Sequence, residues 1–287
     1  MTKVLIIGNS AAGFSACRLL SGSSIKLELT VISKEPHPAY RRDLLIDYFS
    51  GKLQEKEIFL TGEDPNKVNP VALRENSEVV KIDTKRKTVS LKDKSKLEYD
   101  YLIIACGQKV SLPDIPGKTK EGVFGFYELS DAIRIKESLL LPHTVCVIGK
   151  SPLALRITEA IASMGKDVQL ISDVELQEFI GEGAELQAIK LSNGKVIGTT
   201  LAVIAGPYVS SAAFLKEGDI ANSSGYIGVD SAMRTNIENI FACGSVAVNA
   251  GLSSGQKLWQ DCVNEGIMAA QSIINSIGEK SHVGSID

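Results

Sequence analysis

The chain has 287 residues, 44% of them hydrophobic and 23% charged, with a formal net charge of -3 at pH 7. That length and balance accommodate two ordinary domains and exclude a disordered chain, which could not bury enough apolar surface to offset its ordering entropy. The lack of a basic excess excludes a phosphate-tracking surface, so nucleic acid is not an expected partner.

The first apolar run, residues 4–7, stops at Gly8 and is too short for a secretory or membrane-spanning segment. A cytoplasmic address without membrane insertion is expected. A continuous run of this kind marks a parallel strand covered on both faces. Phe14, Cys17 and Leu20 share one helical face, and residues 27–32 form a second strand, so the opening segment spells βαβ. Residues 79–83 and 88–91 alternate as a hairpin with Lys85, Arg86 and Lys87 in its turn. Residues 101–105 are another buried strand and 131–140 a helix.

A second copy of the opening unit starts at Thr144. Residues 145–149 repeat the strand and its glycine, Ser151 falls on Ser10, Ala154 on Gly13, and residues 168–172 match 29–33. There follow a hairpin at Asn193 and Gly194, a strand over 201–205 and a short helix over 212–216. A strand at Gly228 and Val229, a buried strand over 240–243 and a closing helix over 263–277 complete the chain. Two glycine motifs in matching βαβ settings imply two nucleotide-sized sites. With no low-complexity linker, the C-terminal strand and helix are expected to return to the first domain.

The first motif, Gly8-Asn9-Ser10-Ala11-Ala12-Gly13, varies the dinucleotide fingerprint G-x-G-x-x-G. Gly8 allows the tight turn, Gly13 lets helix and strand pack closely, and the helix N-terminus offers amides to a pyrophosphate. Ser10 replaces the middle glycine; its hydroxyl can donate to phosphate. Glu35 stands where an acidic residue should hold ribose hydroxyls, the alternative being a solvated loop charge. A hydrolase elbow is disfavoured because Ala12 replaces its second glycine, and a P-loop because Thr144 replaces its first. The five cysteines, Cys17, Cys106, Cys146, Cys243 and Cys262, are odd in number and widely spaced, which suggests neither a disulfide framework nor a metal site.

Four segments together carry a family resemblance: residues 8–13; residues 33–52 with Glu35, Tyr40 and Arg42; residues 101–107; and residues 240–244. In this order they resemble the FAD/NAD(P)-dependent pyridine nucleotide-disulfide oxidoreductases, with greatest likeness to NADH-rubredoxin reductases, NADH oxidases and nitrite reductase flavin domains. The resemblance implies an α/β fold of two Rossmann-like dinucleotide-binding domains: an FAD domain from 1–110 and 236–287, and an inserted, reduced NAD(P)H-type domain from 111–235. It implies an oxidoreductase in which FAD passes electrons between NADH or NADPH and a protein or small acceptor, or else a flavin-carrying electron-transfer subunit with a vestigial NAD(P)H site. The flavin carries the chemistry, so no catalytic side chain is implied.

By the same resemblance, Gly8, Ser10, Ala12 and Gly13 hold the FAD pyrophosphate and Glu35 the adenosine ribose. Arg42 reaches the phosphates or flavin, Val79 clamps beside adenine, and Ala105, Cys106 and Gly107 pass close to the cofactor. Gly244 and Ser245 match a Gly-Asp motif whose aspartate bonds the ribityl chain; serine withholds that charge-assisted bond, implying a looser hold. Gly149, Ser151, Ala154 and Asp173 correspond to an NAD(P)H site, although Arg156 replaces the family's glutamate there. No cysteine lies between Cys17 and Cys106, which excludes disulfide-reductase chemistry. The family's C-terminal interface domain has no counterpart before residue 287, so a partner subunit covering the flavin is expected.

Overall fold

The computed structural model describes the chain except for residues 61–67, 142–143, 173, 216–219, 221, 224, 250–256 and 284–287. It forms two compact units: Met1–Arg41, Phe59–Gln108 and Ser210–Asp287 make the first, and Arg42–Ile58 with Lys109–Val209 the second. Residues 42–58 group with the second unit and residues 210–235 with the first.

The first unit is built on a five-stranded parallel sheet in the order Ile240–Ala242, Tyr101–Ile104, Thr2–Ile7, Leu27–Ile32, Val71–Arg74. Ile7 is paired with Ile32 on one side and Ile104 on the other, and Ile104 with Ala242, so the carboxyl ends of these strands are level. Ile6, Leu102, Ile103 and Phe241 are wholly buried, as continuous apolar runs require of strands covered on both faces. Each such side chain contributes about 1.5–3 kcal/mol.

The helix Ala11–Ser21 buries Ala12, Ala16 and Leu20 and packs against the long helix Trp259–Val283. The two helices come close at Gly266, where an added Cβ would overlap the carbonyl oxygen of Ala12. The antiparallel meander Val79–Asp83, Thr88–Leu91, Lys96–Glu98 adds Val79, Val89 and Leu91 to the same core. Between helix and second strand the chain is locked by buried Asn69. Its Oδ1 accepts from Leu27 N–H at 2.9 Å, and its Nδ2 lies 2.9–3.2 Å from the carbonyl oxygens of Leu20, Ser23 and Ile25.

The second unit repeats the theme in a parallel sheet ordered Asp167–Ile171, Thr144–Ile148, Leu201–Ile204, Val123–Gly125. Its helix Pro152–Ser163 follows the strand Thr144–Ile148 just as Ala11–Ser21 follows Thr2–Ile7. An antiparallel sheet of Leu176–Ile180, Ala188–Leu191 and Val196–Gly198 completes it. The short helix Leu45–Phe49 packs here, with Phe49 edge-on to Phe126 at 5.6 Å.

Three of the expected helices differ from the sequence expectation. The helix expected over 131–140 is Leu129–Ser138, set by a capping box in which the Asp131 carboxylate accepts from the N–H groups of Tyr127 and Glu128. The closing helix starts earlier, at Trp259, where Asp261 accepts from Leu258 N–H. Residues 211–215 form turns instead of a helix: Ser210 Oγ accepts from Ala212 N–H at 3.1 Å and offers the backbone another partner.

Candidate dinucleotide-binding site

Strand Thr2–Ile7 ends where Gly8 turns the chain, and the fit there is tight. Gly8 N–H donates to Ile32 O at 2.8 Å, and Ala105 N–H to Ile7 O at 2.8 Å. Gly8 has φ +110°, and an added Cβ would overlap the Ala105 carbonyl oxygen. A Cβ on Gly13 would in turn overlap the Gly8 carbonyl oxygen, so the first helical turn lies directly against the end of the strand. Both fingerprint glycines are therefore demanded by close approach of backbone.

This geometry leaves donors without acceptors. Phe14 N–H donates to Ser10 O at 2.8 Å, but the amides of Ala11, Ala12 and Gly13 have no acceptor among the described residues. Ala11 and Ala12 are only 6% and 5% exposed, and Gly13 is buried as well. Ser10 makes no side-chain cap bond, and no acidic residue occupies the first turn. Buried amides without partners are costly, and an anionic group supplies what they lack. The residues present therefore fit the pyrophosphate of a dinucleotide.

Other expected residues gather at the same carboxyl edge. Ala105 and Cys106 follow strand Tyr101–Ile104, and desolvation pushes the Cys106 thiol up to about 12. Gly107 continues the turn and accepts from Ser211 N–H at 3.0 Å. Cys243 N–H donates to Ile104 O at 3.1 Å, which carries Gly244 and Ser245 to the neighbouring strand end. A Cβ on Gly244 would lie 3.0 Å from Ala12 Cβ. Ser245 Oγ is 3.7 Å from Cys262 Sγ.

Glu35 follows the strand Leu27–Ile32, half-buried, and its carboxylate accepts from Tyr40 OH at 2.6 Å. Val79 is buried in the core at the start of its strand, near Ser77, whose N–H donates to Ser33 O. Arg42 belongs to the second unit. There its guanidinium stacks 4.5 Å over the Tyr127 ring and donates to Tyr127 O at 2.7 Å.

The second motif has the same backbone plan with a different first turn. Gly149 N–H donates to Ile171 O at 3.1 Å, and Ala205 N–H to Ile148 O at 2.8 Å, matching the bonds around Gly8. An added Cβ on Gly149 would lie 2.8 Å from Ala205 O and 3.2 Å from Ala154 Cβ. Here, however, Ser151 caps its own helix: Oγ accepts from Ala154 N–H at 3.3 Å and donates to Ala205 O at 3.2 Å. Pro152 has no N–H, so Leu153 alone among the first three helical residues keeps an amide with no acceptor among the described residues. Asp173 lies outside the described residues.

Sequence reading missed Glu265 and Lys257. Glu265 accepts from Gly244 N–H at 2.8 Å and from Lys257 Nζ at 2.6 Å. Both residues are charged and distant from the fingerprint in sequence, and no local pattern marks them. Among the described residues, no helix is long and apolar enough to cross a membrane, and no group of three or more His, Cys, Asp or Glu could hold a metal.

Paired βαβ units, each with a glycine turn at the carboxyl ends of a parallel sheet, define a two-dinucleotide-fold protein. The family of pyridine nucleotide-disulphide oxidoreductases matches residues 2–176 and 172–266, and the chain belongs to it. FAD and NADH or NADPH are the cofactors of that family and its neighbours. The NAD(P)H nitrite reductase of Bacillus subtilis is 27% identical over 286 residues, covering 88% of this chain and 35% of the relative. The NADH-rubredoxin oxidoreductase of Clostridium acetobutylicum is 27% identical over 271 residues, covering 88% of this chain and 70% of the relative. Among solved structures, a ferredoxin reductase from Rhodopseudomonas palustris superposes with TM-score 0.85 at 18% identity, covering 95% of this chain and 76% of that one. The chain thus spans about a third of the length of the nitrite reductase.

Proposed function

We propose that the first unit binds FAD at the Gly8–Gly13 turn and that the chain is an oxidoreductase passing electrons between NADH or NADPH and a redox acceptor. The observation that carries this reading is the set of buried, acceptor-free amides of Ala11, Ala12 and Gly13. When bound, FAD supplies the hydride and electron chemistry. The chain's own residues bind and orient: the three amides and Ser10 meet the pyrophosphate, Glu35 the ribose, and the Ala105–Gly107 and Gly244–Ser245 turns the remainder of the cofactor. The relatives' names, rubredoxin and nitrite among them, support a protein or small redox acceptor. A cytoplasmic location belongs to the same reading.

A second reading is favoured by Ser151. Its self-capping leaves the second motif one amide with no acceptor among the described residues, which supports a flavin-carrying electron-transfer subunit fed by another protein. The deciding experiment is anaerobic mixing of the FAD-loaded chain with NADH and then NADPH, following the flavin band. Rapid bleaching by either supports the oxidoreductase reading. No bleaching, with reduction restored by a protein donor, supports the subunit reading.

A further inference from the structure

We propose that Lys257 and Glu265 are positioning residues that clamp the Gly244–Val246 turn into the shape that receives the flavin half of FAD, an inference that rests on the cofactor reading above. The turn begins one residue after strand Ile240–Ala242, at the same carboxyl edge as Gly8 and Ala105. Gly244 has φ +76°, a left-handed conformation that needs external support to persist in one geometry. The pair supplies that support on both sides of one residue. Glu265 Oε2 accepts from Gly244 N–H at 2.8 Å, while Lys257 Nζ donates to Gly244 O at 3.2 Å. Lys257 also donates to Ala247 O at 2.9 Å, beyond the far end of the turn, and to Glu265 Oε1 at 2.6 Å.

The side chains of Lys257 and Glu265 are only 21% and 13% exposed, so desolvation opposes their burial. Buried ion pairs give little net stability, and an apolar pair of similar volume would hold a helix on a sheet at least as well. What this pair adds is geometry: three ammonium donors and two carboxylate oxygens fix the three-residue turn. The next residue, Gly266, meets the Ala12 carbonyl, and Gly244 meets Ala12 Cβ, so one helical segment sets the turn and touches the fingerprint helix. Glu265 also puts a carboxylate beside the turn in which position 245 carries only a hydroxyl.

The test separates the two halves of the cofactor. Flavin-free full-length protein is titrated with FAD and, separately, with ADP, which engages the fingerprint and Glu35 but not the Gly244 turn. Glu265→Gln, which keeps the shape and loses the charge, and Lys257→Met are expected to weaken FAD binding about tenfold or more while leaving ADP within about twofold. Far-UV circular dichroism and melting of the flavin-free variants confirm that the fold persists. Equal loss of FAD and ADP, or no loss of either, would overturn the clamp. A wild-type chain that binds neither nucleotide would overturn the cofactor reading, and the clamp with it.

Discussion

The hydroxyl of Ser151 is hydrogen-bonded to the Ala205 carbonyl oxygen 3.2 Å away, whereas Ser10, at the equivalent point of the first motif, makes no such bond among the described residues. Two serines read from sequence as matching replacements for a fingerprint glycine therefore do different things. One closes its helix; the other leaves its helix open to a ligand.

Replacing Ser151 by glycine removes the Cβ and the hydroxyl from the mouth of this turn, while Ala154 N–H keeps its 3.0 Å bond to the carbonyl oxygen of residue 151. Glycine is a tolerable cap, so the helix should lose only a few tenths of a kcal/mol. The Ser151→Gly variant is expected to be reduced at lower NADH or NADPH concentrations than wild type, read from the anaerobic bleaching rate against nucleotide concentration. An unchanged concentration dependence would separate the Ser151 cap from nucleotide access.

At Gly8 the outcome runs the other way. A valine there must occupy the space of the Ala105 carbonyl at a φ of +110° that β-branched residues do not adopt. Gly8→Val is expected to abolish flavin retention and destabilise the first unit by more than about 2 kcal/mol. Denaturant unfolding and the flavin content of the purified variant check both parts. Full FAD occupancy would remove the pyrophosphate from this turn.

Position 245 inverts a simple expectation from the family pattern. An aspartate would restore a charged acceptor for the ribityl chain, but Ser245 packs near buried Cys262, and the Glu265 carboxylate already bonds the adjacent Gly244 amide. A second carboxylate here enters a partly buried setting where the neighbouring cation at the turn, Lys257, is already committed to Glu265, at a cost of about 1–3 kcal/mol. Ser245→Asp is therefore expected to weaken FAD binding in an isothermal titration. Tighter binding would mean that Glu265 does not supply the local negative charge.

Much of this was legible in the chain itself. Both βαβ units announce themselves because residues 4–7 and 145–148 are uninterrupted apolar runs ending in glycine, and close backbone packing forces those glycines. Strand Val71–Arg74 was not legible: it is a short edge strand with Leu73 45% exposed, so it carries no burial pattern. The grouping of Arg42–Ile58 with the second unit is marked by no local pattern in the sequence. The brief helices of this segment are fixed by contacts such as Phe49 on Phe126, which no local periodicity records. Lys257 and Glu265 escaped for the same reason, since their meaning lies in bonds to Gly244 made through the tertiary fold.

Asn69 is another residue of that kind, and its removal gives a stability test independent of any ligand. Its buried amide side chain bonds groups on residues 20, 23, 25 and 27. Asn69→Ala leaves those groups unsatisfied and is expected to cost about 2–4 kcal/mol in denaturant unfolding. A loss below about 0.5 kcal/mol would show that they find other partners.

The central claim is that the open first turn at Gly8–Gly13 holds an adenine dinucleotide flavin. Its most direct test is titration of the flavin-free chain with FAD and with FMN, followed by gel filtration and an absorption spectrum of the protein peak. Stoichiometric FAD carried with the protein, and FMN lost from it, is the expected result. A colourless protein after FAD, or equal retention of FMN, would contradict the account.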